Sequence, residues 1–178
     1  MENTIIEMLE QRGYTNIVKH ENDTGELFDI ECIDTNNKTV YVKYLLNRLK
    51  IPYFFKKYME DLDNPTDIHH IIVLRKKHSN SFLKLCSPYD VEIFTQNELQ
   101  VNITKHVLVP EHIRIPSQEK DKIAKLLQLY SCDTIANFPI LQKKDPVCRF
   151  YGGKVGDIFK IRRVSPVTGE YVSYRHVV

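Results

Sequence analysis

His70-Ile71-Ile72-Val73-Leu74, followed at once by Arg75-Lys76-Lys77-His78 and Ser79-Asn80-Ser81, is the stretch on which the fold class turns. Four successive aliphatic residues of strand length suit a strand buried on both faces, and the abrupt change of character ends that strand in a basic loop. Downstream, Ser81 to Cys86 reads as a short helix, Val91 to Phe94 as a strand, and Thr95 to Leu99 as a one-turn helix capped near Thr95 or Asn97. Upstream, Pro52 suits the first turn of a helix running to about Leu62, with Tyr53, Phe54, Tyr58 and Met59 as its buried stripe. Before it, Leu27 to Ile33 alternates apolar and polar positions, Asn36-Asn37 is turn chemistry, and Thr39 to Tyr44 is rich in β-formers, so a hairpin is expected. Ile5, Met8 and Leu9 recur at helical spacing, and Gly13 suits a left-handed cap. Strands alternating with helices make the first half α/β.

The second half reads as smaller and mixed. Val101 to Val109 is a β-rich run broken by Pro110. Ser117 can cap a helix in which Ile123, Leu126, Leu127 and Tyr130 recur at i, i+3, i+4 and i+7. Residues 135–144 look irregular, Val147 to Tyr151 is short and apolar, and Gly152-Gly153 turns the chain. Ile158 to Val164 then pairs with Tyr171 to Val178 across a turn at Pro166–Gly169. Ile158, Phe159, Ile161 and Val177 put apolar side chains on both faces of that hairpin, so one face is expected to need a cover from outside the chain. The boundary between halves falls between Leu99 and Pro116, giving domains 1–99 and 100–178.

Composition narrows the function. The 178 residues are 42% hydrophobic and 27% charged, and no stretch approaches the roughly 20 apolar residues of a bilayer span. Met1-Glu2-Asn3-Thr4 opens neither a secretory signal nor a transit peptide, and the four cysteines lie far apart, which favours a reducing compartment. Charge is unevenly divided: residues 1–100 carry 12 Lys+Arg against 16 Asp+Glu, and residues 101–178 carry 13 against 7. Seven histidines include His69-His70 and the His106/His112 pair, but adjacent strand residues point to opposite faces and the second spacing is broken by Pro110, so neither has zinc geometry. There is no Gly-x-Ser-x-Gly elbow, and Gly152-Gly153-Lys154-Val155-Gly156 lacks the phosphate-loop pattern. One catalytic alternative survives, a metal-dependent nuclease of the restriction-endonuclease type built on Asp29 and Lys43. Its second carboxylate would stand two residues before Lys43, where the chain has Tyr41.

From Leu99 onward the chain is similar to RNA polymerase subunit 5 of eukaryotes, a family whose archaeal counterpart lacks the N-terminal domain. The carriers are Glu98 to His106, Leu108-Val109-Pro110-Glu111-His112, Asp145-Pro146-Val147-Cys148-Arg149-Phe150-Tyr151-Gly152, and the run from Gly156 through Lys160-Ile161-Arg162-Arg163 to Tyr171-Val172-Ser173-Tyr174-Arg175. Residues 1–95 match weakly. The resemblance implies an α/β N-terminal jaw domain, restriction-endonuclease-like and inactive, plus a small α+β C-terminal assembly domain with a short mixed sheet. It implies a non-catalytic subunit of a multisubunit DNA-directed RNA polymerase, without cofactor, metal or small-molecule substrate of its own and without a membrane partner. The C-terminal domain would anchor on the largest subunit, and the N-terminal domain would form part of the lower jaw near downstream duplex DNA. A shortened jaw resembles the subunit of a large cytoplasmic DNA virus, which implies host cytoplasm and virion; a cellular source implies the nucleus.

The residues expected to meet the largest subunit are Asp145, Pro146, Arg149, Tyr151, Arg162, Arg163, Tyr174 and Arg175, and those expected to face DNA are Arg75, Lys76, Lys77 and Ser79. Each has a plainer reading. Asp145 can cap a helical turn begun by Pro146, the arginines can be solvated or pair with local acids, Tyr151 and Tyr174 can be core aromatics, and Lys76 and Lys77 can keep a loop in solution. A free-standing transcription factor is the third class, and the net acidity of residues 1–100 argues against it.

Overall fold

A computed structural model describes residues 1–20, 28–46, 50–62, 64–165 and 169–178. The chain divides into two compact units, Met1–Val101 and Asn102–Val178.

The first unit runs α1 (Glu2–Gln11), β1 (Thr15–Lys19), β2 (Ile30–Ile33), β3 (Thr39–Leu45), α2 (Ile51–Glu60), β4 (His69–Leu74), α3 (Asn80–Cys86) and β5 (Asp90–Thr95). Its sheet has the order β1-β2-β3-β4-β5; the first three strands are antiparallel, and β3, β4 and β5 are parallel. Every residue of β4 is buried, as its unbroken apolar run requires. The crossover helices α2 and α3 share one face, where Phe55, Tyr58, Met59, Phe82 and Cys86 pack with Leu45, Ile72 and Leu74. The alternate residues of β5 point the other way, and there Arg12, at the end of α1, lies 2.7 Å from Glu92. Gly13 takes φ +77° as a left-handed residue should, while Arg12 is the C-cap proper.

One expectation needs correction here, and one strand was not expected. Tyr53 is 61% exposed, and Phe55 is buried in its place, because the stripe of α2 follows 51, 54, 55, 58 and 59. Strand β1 gave no alternating signal because it is an exposed edge with a register shift between Thr15 and Val18 and a left-handed Asn16. The hairpin formed as expected, although Leu27 lies outside the described residues.

The second unit contains a 3-10 turn (Ile103–Lys105), β6 (Glu111–Ile115), α4 (Lys120–Leu129), a second 3-10 turn (Ile135–Asn137), β7 (Ile140–Leu141), α5 (Pro146–Phe150), β8 (Ile158–Ser165) and β9 (Gly169–Val177). The sheet order is β6-β8-β9-β7, antiparallel except for the parallel pair β9-β7, so it is mixed. The run before Pro110 is not a strand. Asn102 accepts hydrogen bonds from the backbone and hydroxyl of Thr104 (2.9 and 2.6 Å), and such local bonds draw the backbone into a turn. The strand follows Pro110 instead. Ser117 does not cap α4, which starts at Lys120; the backbone N–H of Ser117 donates to Asp157. The turn expected at Pro166–Gly169 lies outside the described residues for 166–168.

Nor does the β8–β9 hairpin leave a bare face where it was expected. Phe159, Ile161 and Val177 are covered by Leu141, Cys148 and Tyr151 from the α5 side, and Ile158 by Leu126 and Phe138 from the α4 side. All four strand residues are at most 3% exposed. The sheet is the middle layer of its own small sandwich. Among the described residues no helix is long and apolar enough to cross a membrane.

Candidate functional site

The Asp145-Pro146 pair starts α5. Asp145 Oδ1 accepts from the backbone N–H groups of Val147 (2.9 Å) and Cys148 (3.2 Å), and Pro146 occupies a first-turn position where no N–H is needed. Val147, Cys148 and Phe150 are buried, and Tyr151 packs edge-on against Phe159 at 6.1 Å. Burial pushes the Tyr151 hydroxyl upward in pKa, against the lowering effect of its hydrogen bond with Thr104. Burial also pushes the Cys148 thiol up to about 11, so it stays protonated and unreactive at neutral pH. The turn after the helix presses on the sheet: a Cβ at Gly153 would stand 2.5 Å from Cys148 Sγ and 3.0 Å from Phe159.

Beneath α5 lies a group whose role no local pattern announces. Asp157 is fully buried and accepts from Arg114 Nε, the Ser117 N–H and the Lys154 N–H, each at 2.8 Å. Arg114 also donates to the Tyr151 carbonyl at 3.3 Å. One carboxylate thus ties β6, the loop before α4 and the turn before β8 to the end of α5. His112, one pair along β6, sets its Nδ1 2.7 Å from the Pro110 carbonyl, and its pKa is lowered by burial first and by the nearby Arg163 and Arg175.

The partner residues named from the sequence separate by face. Along β8, Ile158, Lys160 and Arg162 point toward the α4 side, and Phe159, Ile161 and Arg163 toward the α5 side. Arg163 and Arg175 therefore share a side with Tyr151 and the capped Asp145. Arg162 pairs with Glu111 (2.7 Å) and Glu170 (3.7 Å), the local-acid reading. Tyr174 is packed against Tyr130 and Phe138, with ring centroids at 5.4 and 6.1 Å, as a core aromatic. Pro146 is exposed and Arg149 half-buried in the last turn of α5.

In the first unit Arg75, Lys76 and Lys77 are exposed directly after β4. Ser79 is the N-cap of α3, its side chain accepting from the Phe82 N–H at 3.4 Å. Asp29 and Lys43 do come together, with Nζ 3.6 Å from Oδ2, but the same oxygen accepts the Tyr44 N–H at 2.7 Å. Tyr41 lies stacked on Phe28, ring centroids 3.9 Å apart and nearly parallel, so an aromatic pair occupies the place a second carboxylate would take. Among the described residues no three His, Cys, Asp or Glu side chains are grouped to hold a metal ion.

Over 189 aligned residues the chain is 30% identical to the protein named DNA-directed RNA polymerases I, II, and III subunit rpabc1 of Dictyostelium discoideum, an alignment covering 97% of this chain and 92% of that relative. The chain belongs to the RNA polymerase Rpb5 (RPABC1) family. The family model described as RNA polymerase Rpb5, C-terminal domain, matches residues 101–177, nearly the whole of the second unit. Subunits named RPABC1 in Caenorhabditis elegans and Caenorhabditis briggsae are each 43% identical over 90 residues, 51% of this chain and 41% of theirs. Within this Rpb5-type unit the residues that sequence reasoning missed are Arg114 and Asp157, while His112 was weighed only as a metal ligand. Their one sequence signal was an acid placed directly before the apolar Ile158-Phe159, where an unpaired carboxylate would be costly.

Proposed function

We propose that the chain is a non-catalytic subunit of a multisubunit DNA-directed RNA polymerase, with its C-terminal unit anchored on the largest subunit and its N-terminal unit in the lower jaw beside downstream duplex. The observation that carries this reading is the alignment with the Dictyostelium polymerase subunit, which runs through both units and not through the C-terminal one alone. The mixed sheet of the first unit, a hairpin leading into parallel strands, supports a restriction-endonuclease-like jaw. The ring at Tyr41 and the engagement of Asp29 by Tyr44 support a jaw without nuclease activity. Polymerisation then belongs to other subunits, and this one supplies architecture. Arg75, Lys76 and Lys77, fixed at the end of a fully buried strand, serve as phosphate contacts that read no bases.

Anchoring falls to the α5 side of the second unit, through Pro146, Arg149, Tyr151, Arg163 and Arg175, with Asp145 shaping the helix that presents them. Arg162 and Tyr174 serve the unit's own packing. The shortened first half supports a source in a large cytoplasmic DNA virus, with host cytoplasm and virion as its locations; a cellular source carries the nucleus with it.

The test is co-expression of the full chain with a tagged largest polymerase subunit. Retention through a salt wash is expected. Failure to co-purify, or magnesium-dependent DNA cleavage lost in Asp29→Asn and in Lys43→Ala, overturns the reading.

A further inference from the structure

Arg162 and Arg163 are neighbours in the chain, yet the β8–β9 ladder sends them to opposite faces and to different fates. On the α4 face Arg162 is neutralised by Glu111 and Glu170. On the α5 face Arg163 is exposed, and Arg175 spends one N–H on the Ile140 carbonyl at 3.3 Å. Among the described residues neither has an acidic side chain in ion-pair contact. The other charges near them are already engaged: Asp145 Oδ1 caps α5, Arg114 holds Asp157, and Glu111 holds Arg162. His112 sits in the row between, paired with Ile161, while Arg163 pairs with Tyr171 one step outward and Arg175 with Phe159 one step inward. Of the side-chain charges that act on His112, Asp145 is negative and Arg163 and Arg175 are positive, so these three leave the face with an excess of positive charge.

We propose that the α5 face of this sheet, with Arg163 and Arg175 as its charged contacts and His112 between them, receives an acidic polypeptide segment of the partner subunit. The proposal rests on the polymerase-subunit reading and adds the chemistry of the occupant. Charge complementarity requires an anion, and the surroundings favour a polypeptide over a nucleic acid. Tyr171 is 60% exposed opposite Arg163, and Val107 and Leu108 are 92% and 82% exposed in the loop leading to Pro110, whose carbonyl holds His112. Apolar and aromatic surface beside arginine is the composition of protein interfaces, whereas nucleic-acid interfaces are more uniformly polar and positive. Carboxylates arriving beside His112 favour its imidazolium, so binding takes up a proton.

Two measurements on the full chain test this. In the first, the His112 ring is titrated by NMR alone, with an oligo-glutamate peptide, and with a short DNA duplex. The midpoint is expected to rise with the peptide and stay in place with the duplex. A midpoint that the peptide leaves unmoved, or that only the duplex moves, overturns the proposal. In the second, capture by the largest subunit is compared for wild type, Arg163→Glu/Arg175→Gln, and Lys125→Glu, the last an exposed charge on α4 outside the surface. The double variant is expected to bind about tenfold or more weakly, as loss of interfacial charge pairs does, and Lys125→Glu like wild type. Capture of the double variant at wild-type strength overturns the proposal and leaves the subunit reading intact. Loss of wild-type capture, with the His112 shift still present, sinks the subunit reading and keeps the acid-binding surface. Arg163→Gln, altering one exposed side chain, decides the matter where the double variant does not fold.

Discussion

Each unit hides an arginine against a carboxylate, and the two pairs are built on different plans. In the first unit Arg12, its side chain wholly buried, meets Glu92; Glu92 also lies 3.4 Å from His69 Nε2, His69 Nδ1 lies 3.1 Å from Asp90, and Asp90 meets Lys38 at 2.9 Å. In the second unit Asp157 meets one arginine and two backbone N–H groups. The first plan is a chain of side chains joining α1, β4, β5 and the turn before β3, in which a histidine stands between two carboxylates, Nδ1 toward Asp90 and Nε2 toward Glu92. The second is a single carboxylate fastened mostly to backbone. A side-chain relay of this kind responds to pH through its histidine.

The sharpest way to break this contrast is to remove the hub of the second plan. Asp157→Ala strands Arg114 and two backbone N–H groups, and is expected to cost about 3–5 kcal/mol, measured by urea unfolding. Arg12→Leu should cost less, about 2–3 kcal/mol, because Glu92 keeps His69 as a neighbour and is a quarter exposed. If Arg12→Leu were the costlier change, the relay and not the clamp would be the firmer structure.

Next in size is the pH response. Burial alone would lower the His69 pKa, but hydrogen bonds and charges from Asp90 and Glu92 outweigh it and the net shift is upward from 6.5. His69 therefore contributes stability fully below about pH 6.5, and that contribution is lost as pH rises through its raised folded value. Asp90 is shifted well below its ordinary value, first by its hydrogen bond with His69, and Glu92 is shifted downward too, the Arg12 and His69 charges outweighing burial. Their contributions are present above the ordinary carboxylate range and are lost only in strong acid. His70 and His112 are both lowered, mainly by burial, so they add stability as pH rises toward 6.5 and nothing beyond it. The first unit should thus lose stability as pH rises above about 6.5 through the raised His69 value, and His69→Gln should abolish that limb. Unfolding midpoints of the two units between pH 6 and 9, followed by amide hydrogen exchange, would check it. An alkaline limb that persists in His69→Gln would assign it elsewhere.

The smallest effect belongs to the surface. Arg162→Ala removes pairs whose side chains are about half exposed, and is expected to change stability by about 0–1 kcal/mol in the same urea experiment.

The contrast between units also explains what could be read without coordinates. Strand β4 was legible because a strand buried on both faces needs no alternation, only an apolar run. The stripe of α2 is legible at Phe54, Tyr58 and Met59, but Tyr53 stands in it where Phe55 belongs, in a run of aromatics where composition hides the phase. Strand β1 escaped because an exposed edge with a bulge has no periodicity. On the site, the Asp145-Pro146 cap was legible as one of two readings because its donors lie two and three residues away. The Asp157 clamp was not, because its partners lie across the unit and no local pattern requires them. The opposite fates of Arg162 and Arg163 needed the register of β6 against β8, which residue types alone do not supply.

Strand β9 follows every other element of the second unit in chain order, yet it lies inside the sheet, between β8 and β7. Until it is made, β7 has no partner strand and the apolar sides of β8 are incompletely covered. As the chain emerges from the ribosome, the first unit can close on itself while the second waits for its last strand with Phe159 and Ile161 in reach of solvent. Translational pausing upstream of β9 would prolong that interval, and a chain halted there would present an open strand edge to whatever protein lies nearest.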